Sequence, residues 1–523
     1  MTAKSRYDYL SSERAQFLDE AKQAADLTLP YLIRGHEEYS KGMRNLPQPW
    51  QSVGAKGVVT LASKLMLALL PVQTSFFKLQ VDDTQLGESF GPEVKSELDL
   101  SFAKIEKTIL EAIAASSDRV VVHQALKHLV VAGNALLFMG KENLKLYPLN
   151  RYVLERDGNG NVIEIVTKES IAKKLIYDEL PEEVLVKYAN EEDQMEDTEE
   201  CDIYTHITRD NNRVIWHQEV HDYVLPKSHG KAPLDANPWI ALRFNAVDGE
   251  DYGRGRVGQF MGDLKSLDAL SQALVEGSAA AAKVVFTVSP SSTTKPSSLA
   301  SAGNGAIIQG RPDDIGVVQV GKTADFGTAY NMALQLEKRL NEAFLILNVR
   351  QSERTTAEEV RTTQMELEQQ LGGLFSLLTV DLLIPYLNRK LNVFQKTGQI
   401  PRLPKDVVKP TIVAGINALG RGQDRESLAS FLGTIAQTMG PEAIMQHINP
   451  EEVIKRLAAA QGIEVLNLVR TMQEIQQERQ QAMQREQAMM QQQQQTERMK
   501  TPMADPSKNP QLARQLDPTQ QAQ

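Results

Sequence analysis

Three groups of residues have types and spacings that fit known chemistry. Gly316 to Thr323, GVVQVGKT, satisfies G-x-x-x-x-G-K-[ST], in which backbone amides of a tight turn cradle phosphates and a lysine, here Lys322, reaches them. Gly253, Gly255 and Gly258 in YGRGRVG satisfy G-x-G-x-x-G, the turn that seats a pyrophosphate on a helix N-terminus. His217 and His221, with His206 and His229 nearby, have a spacing of four that would put two imidazoles on one helix face for a metal ion.

Each chemistry needs a particular element beneath it, and the flanking sequence supplies another. A phosphate loop follows a buried strand, whereas VVQV is itself strand-like and follows polar RPDDI. The nearest apolar run ending in an acid, LLTVD to Asp381, lies inside an expected helix and does not place a magnesium ligand at a strand end. The triple glycine follows the acidic loop DGED, with no β-α-β unit around it, so it reads as a flexible helix entry. The histidines sit in strand-like alternation without the glutamate of a metalloprotease helix, which makes them surface or hairpin residues. No G-x-S-x-G or comparable signature accompanies a serine or Cys201. We therefore expect no catalytic constellation, no metal, no cofactor and no enzyme.

Length and composition bound the rest. At 523 residues with 41% apolar content, the chain exceeds one hydrophobic core and calls for two to four domains. One cysteine excludes an internal disulfide framework and suits a reducing cytoplasm. The N-terminus is charged throughout, unlike a signal peptide, and Val58 to Leu70, interrupted by Ser63 and Lys64, is too short to span a bilayer and reads as a buried helix. The net charge of -10 is almost wholly local: Asp178 to Asp202 holds twelve acids and one lysine, leaving 56 basic against 55 acidic residues elsewhere. That patch is a solvated surface, a docking face for a basic partner segment, or a field repelling DNA. The balanced remainder suits a surface past which a polyanion slides, since each phosphate contact adds affinity.

The periodicity predicts an α+β fold, predominantly helical. Apolar spacings of three and four give helices in Val58 to Leu70, Phe102 to Ala115 and Val120 to Leu137. From Leu144 the alternation in NVIEIVTK, DIYTHIT and RVIWHQEV, with turns at DGNGN and DNN, predicts antiparallel hairpins. Val257 to about Lys283 and Phe326 to Leu347 read as helices flanking a Pro-, Ser- and Gly-rich insertion with short β runs. Residues 404 to 470 read as further helical runs, and Met472 to Gln495, with twelve glutamines in 24 residues, as one long polar helix before a disordered end.

Between these lies SERTTAEEVRTTQMELEQQLGGLFSLLTVDLLIPYLNRKL, residues 352 to 391. Thr355 with Glu358 and Thr356 with Glu359 form overlapping capping boxes, so a helix starts near Ala357. Val360, Leu367 and Leu374, interleaved with Leu371 and Leu378, trace a narrow seam for packed neighbours, and Pro385 must bend or end the helix.

This polar loop, capped helix, Gly-Gly and late proline resemble the portal proteins, or head-to-tail connectors, of short-tailed bacteriophages. GAKGVVTLASKLMLALLPVQTSFFKL at 54 to 79 and PWIALRFNAVDGEDYGRGR at 238 to 256 strengthen the likeness, which covers roughly residues 10 to 470. The resemblance implies a ring, usually of twelve copies, at one capsid vertex, whose channel passes double-stranded DNA during packaging, retention and ejection. It implies a wing over 1–253, a first stem helix at 254–283, a clip at 284–323 and a second stem helix at 324–347. A channel loop at 348–355, a long bent helix at 356–398, a crown at 399–470 and a glutamine-rich tail at 471–523 follow. Implied partners are the terminase large subunit, a tail adaptor, and capsid, scaffolding and internal core proteins; no membrane is implied. Arg350 and Arg354 in the loop, with Lys338 and Arg339 on the second stem helix, are the residues expected to meet DNA, the alternatives being inter-subunit ion pairs or solvated charges. Two other readings stay open at this point, a nucleotide-dependent packaging motor acting through Lys322 and a non-portal structural oligomer of the virion.

Overall fold

Val53–Leu69 carries an almost unbroken apolar surface around two charges, and a helix apolar on most sides is a helix buried on most sides. In the computed structural model it does become the second of four helices that form a platform: α1 (Ala3–Asp26), α2 (Val53–Leu69), α3 (Pro92–Ala115) and α4 (Asp118–Ala132). The structure describes residues 2–33, 46–71, 75–81, 92–141, 143–176, 180–181, 184, 200–281, 285–292, 294–309, 311–318, 323–346, 373, 375–402, 408–412, 421–440, 448, 453 and 489. Most of the acidic stretch, Lys322, the loop at 348–355, the capped helix start and the tail at 471–523 apart from Met489 lie outside them.

Helix α4 is shorter than its periodicity predicts. Gly133 takes φ 75° at its C-terminus and closes the helix with a left-handed cap, so 134 to 137 are a strand and not its last turn. That strand, β2 (Asn134–Met139), pairs with β3 (Leu144–Tyr147) and with β10 (Trp239–Arg243) in an antiparallel sheet, order β10-β2-β3. The apolar run misled because a strand buried on both faces has no polar alternation to distinguish it from a buried helix.

The expected hairpins form a second antiparallel sheet: β4 (Tyr152–Arg156), β5 (Val162–Ala172), β6 (Glu200–Asp210), β7 (Arg213–Val220) and β8 (Tyr223–Val224), with β9 (Gly230–Pro233) also on β7. DGNGN and DNN are its turns; Gly160 and Asn211 adopt positive φ there. Helix α1 lies on this sheet through Tyr7 and Leu10, against Val153, Val166 and Tyr204. Arg14, buried on α1, donates to the carbonyls of Leu149 and Tyr152 at 3.1 and 2.7 Å and so fixes the helix to the start of β4. Cys201 is buried beside Ile203 and Val220.

Beyond the sheets come α5 (Met261–Ala281), a hairpin of β11 (Val285–Val288) and β12 (Ile315–Val318), and α6 (Thr323–Ala343). A π-helical turn at Thr379–Leu383 leads into α7 (Ile384–Thr397). Pro385 therefore neither ends the helix nor stands in a regular one: the wider turn ahead of it absorbs the register change, as such bulges do. Gly398, at φ 74°, terminates α7. A further departure follows, since 408 to 412 are not helical: β13 (Val408–Ile412) pairs antiparallel with β1 (Phe77–Val81). Local sequence does not reveal a strand whose partner, among the described residues, is some 330 residues away. The chain divides into two units, Met1–Leu419 and Gly420–Gln523; the described part of the second is mainly α8 (Arg421–Met439). Among the described residues, no helix is long and apolar enough to cross a membrane.

Candidate functional site

The candidate site is built on α5 and α6, which pack against each other. Gly277 makes the close approach possible, since a Cβ there would lie 2.4 Å from the Phe326 ring. Toward the body, Leu264 and Leu267 of α5, Leu336 and Leu340 of α6, and Phe344 just past its end enter the main core. Elsewhere along the pair some apolar side chains stay uncovered: Tyr330 is 56% exposed, Met332 53% and Val275 54%.

The predicted cations fall into two groups. Arg339 crosses from α6 to Asp263 on α5 at 3.2 Å, with side chains 62% and 32% exposed. This is an ion pair within the chain, an arrangement not among the alternatives weighed for it. An exposed pair of this kind contributes about 0.2–1 kcal/mol, so the guanidinium exchanges readily onto another anion. Lys338 is exposed on the same turn. Arg350 and Arg354 lie outside the described residues, so the structure does not join them to the helical pair.

The α6 exit is held by cations that the sequence did not mark as functional. Arg256 donates to the Ala343 carbonyl at 3.1 Å while its guanidinium stacks over Phe260 at 5.0 Å. Lys64 of α2 donates to the Leu345 carbonyl. Both side chains are partly buried, and desolvation lowers the pKa of each. The available signal was the presence of a lysine in an otherwise apolar buried helix, where a charge persists only with a partner.

The other chemical candidates acquire structural explanations. Gly316 lies within β12, whose Gly316, Val317 and Val318 pair with Thr287, Phe286 and Val285, so these residues run straight where a phosphate loop must curl. Asp381 sits in the π-helical turn, where burial raises its carboxyl pKa against the opposing pull of Arg243 and Arg156. Gly253 and Gly255 are not a flexible entry: Asn134 donates to the Gly253 carbonyl at 2.6 Å and accepts from its amide at 2.7 Å. A Cβ on Gly255 would lie 2.4 Å from the Val131 carbonyl oxygen. These glycines serve close packing against the end of α4, and the Gly253 amide faces inward. His206 and His217 are cross-strand neighbours paired with Glu164 and Glu219, whereas His221 occupies the two-residue turn between β7 and β8. Among the described residues, no group of metal-ligating side chains converges.

Comparison with known proteins agrees with this arrangement. The family model described as bacteriophage head to tail connecting protein matches residues 1–469. The portal protein of Enterobacteria phage T3 is 38% identical over 91% of this chain and 89% of its own length, and that of Escherichia phage T7 is 36% identical over the same shares. Among solved structures, the neck of an empty GTA particle matches at 11% identity with a TM-score of 0.38, covering 79% of this chain and 90% of that one, too weak a likeness to carry an argument. With the family model spanning nearly nine-tenths of its length and relatives matched over about nine-tenths of both chains, the chain belongs to the portal, or head-to-tail connecting, proteins of short-tailed bacteriophages.

Proposed function

We propose that copies of this chain, twelve by the family likeness, close into a ring at one capsid vertex and pass double-stranded DNA through the channel. The observation that carries this reading is the set of uncovered apolar side chains on the α5–α6 pair. Tyr330, Met332, Leu334 and Val275 are exposed on helices that enter the core at Leu264, Leu267, Leu336 and Leu340. Uncovered apolar side chains grouped on one helical pair fit contact with a neighbouring copy, and head-to-tail packing of identical subunits covers them in every copy when rotation closes the ring.

In this assignment residues 1–253 form the wing, 254–283 and 324–347 the stem, 284–323 the clip, 348–355 the channel loop, 356–398 the long helix and 399–470 the crown. Arg350 and Arg354 line the channel, with Lys338 and Arg339 as further phosphate contacts on α6. Such contacts are independent of base sequence and weaken with salt. The clip docks the terminase large subunit during packaging and a tail adaptor afterwards, and capsid, scaffolding and internal core proteins meet the wing and crown. The ring assembles in the host cytoplasm, ends in the virion at the head-tail junction, and leaves ATP hydrolysis to the terminase.

Negative-stain microscopy of the purified protein tests the architecture: rings with a central hole of duplex width are expected, and compact monomers would overturn it. For the loop, Arg350→Ala with Arg354→Ala should leave rings intact while lowering DNA packaging or retention. Normal packaging and retention by the double variant would remove the loop assignment.

A further inference from the structure

The turn that ends α6 is strained and externally held. Ile346 N–H donates to the Asn341 carbonyl at 2.7 Å and Leu345 N–H to that of Glu342 at 3.0 Å, the paired bonds of a Schellman cap. Glycine normally occupies the left-handed position of this cap, but here Leu345 does, at φ 57°. A side chain in that conformation persists only where its surroundings over-determine it.

Three features supply that constraint. Phe344, Leu345 and Ile346 are all buried. Gly57 of α2 forms the floor: a Cβ there would lie 2.6 Å from Phe344 Cγ, so only glycine admits the ring. Seven residues along the same helix, Lys64 donates to the Leu345 carbonyl, and Arg256 closes the other side through Ala343. Positive charge at a helix C-terminus also complements the helix dipole. Among the described residues, no carboxylate pairs with Lys64, so the turn's carbonyl is what the partly buried cation has been given.

We infer that the Gly57–Lys64 face of α2 is a socket that clamps the α6 exit turn, making Lys64 and Arg256 positioning residues for the phosphate-facing arginines that follow; this rests on the channel reading above. The socket fixes the rotation of α6, hence the facing of Lys338 and Arg339, and holds the last described residues before the loop. It also gives a physical reason for the GAKGVVTLASK stretch: Gly57 and Lys64 are two ends of one seat.

Trypsin acting on the assembled full-length protein tests this without DNA. Lys64→Met should raise cleavage at Arg350 and Arg354 about tenfold, the factor for losing one charge-assisted hydrogen bond from a local opening equilibrium. Cleavage at Arg209 and Arg213, in the six-stranded sheet, should stay unchanged, and Lys64→Arg should restore most of the protection. Gly57→Ala, which pushes Phe344 from its seat, should act as Lys64→Met does and carries the test if that variant does not assemble. Unchanged cleavage at Arg350 and Arg354 in both variants, or a rise shared equally with the sheet sites, overturns the socket. Because this readout requires no DNA, failure of the channel assignment shows separately, in packaging by the Arg350→Ala, Arg354→Ala protein.

Discussion

Replacing Lys390 by methionine tests what holds α7 to the helical platform. Asp118 opens α4 with only 1% exposure, accepting from Lys390 Nζ at 2.7 Å and from the Tyr386 hydroxyl at 2.6 Å. Methionine preserves the aliphatic stem but leaves a buried carboxylate with one neutral donor, and its other oxygen, Oδ1, has no protein partner among the described residues. Deleting one member of a buried pair costs about 3–5 kcal/mol, because the remaining charge keeps its desolvation penalty. The N-terminal position of Asp118 on α4 offsets up to about 1 kcal/mol of this through the helix dipole, so about 3 kcal/mol is expected. At about 2.1 cal/mol/K per residue, unfolding the unit Met1–Leu419 carries an entropy of about 0.9 kcal/mol/K, which converts that loss into a fall in Tm of about 3 °C. Scanning calorimetry at pH 7 measures it. Adding Asp118→Asn removes the orphaned charge, so the double variant should regain at least half of the loss. A Lys390→Met protein melting within about 1 °C of the parent, or a double variant whose losses simply add, refutes the reasoning.

Three further outcomes are expected. Burial of His128 on α4 pushes its imidazole down to about 4, so the unfolded chain takes up the proton first; the resulting stability is present above about pH 6.5 and is lost as pH falls toward 4. The loss over that window is about 3 kcal/mol, and His128→Leu should flatten this part of a urea-midpoint profile; an unaltered slope would exclude the assignment. Gly133→Ala combines a left-handed backbone at φ 75° with a Cβ 2.4 Å from the Arg254 carbonyl carbon, and roughly 2–5 kcal/mol of destabilisation follows from strain plus overpacking. Gly249→Ala, at φ 76° with open space around it, should cost only the backbone part, about 1–2 kcal/mol, and equal melting points for the two would contradict the role given to Gly133. Gly230→Ala should collapse the Trp216 environment, because a Cβ there would lie 2.1 Å from the indole, and tryptophan emission provides the readout.

Much of the secondary structure was legible because its periods are local. The alternation in RVIWHQEV and the turns at DGNGN and DNN gave the second sheet, and apolar spacings of three and four residues gave α2, α5 and α6. The errors occurred where an element is buried on both faces or pairs at long range. Ala135 to Leu137 are all fully buried, so β2 shows no polar alternation, and β13 takes its identity from β1 far upstream. Decoy motifs failed for the same reason in reverse: GVVQVGKT has the letters of a phosphate loop, but strand pairing with Val285 to Thr287 has already claimed the backbone of Gly316 to Val318.

By itself the sequence determined the family, through ordered motifs spanning most of the chain, and with it the head-to-tail connector role. It also determined where cations of the right type occur, at Lys338, Arg339, Arg350 and Arg354. Only the tertiary structure decided that Arg339 pairs with Asp263, that Asn134 binds the glycine-rich segment to the end of α4, and that Lys64 and Gly57 seat the strained turn at Leu345. The physical reason is distance along the chain. Helical and strand periods repeat over a few residues, whereas the carbonyl that satisfies Lys64 lies some 280 residues away, and only folding brings a buried charge to its partner.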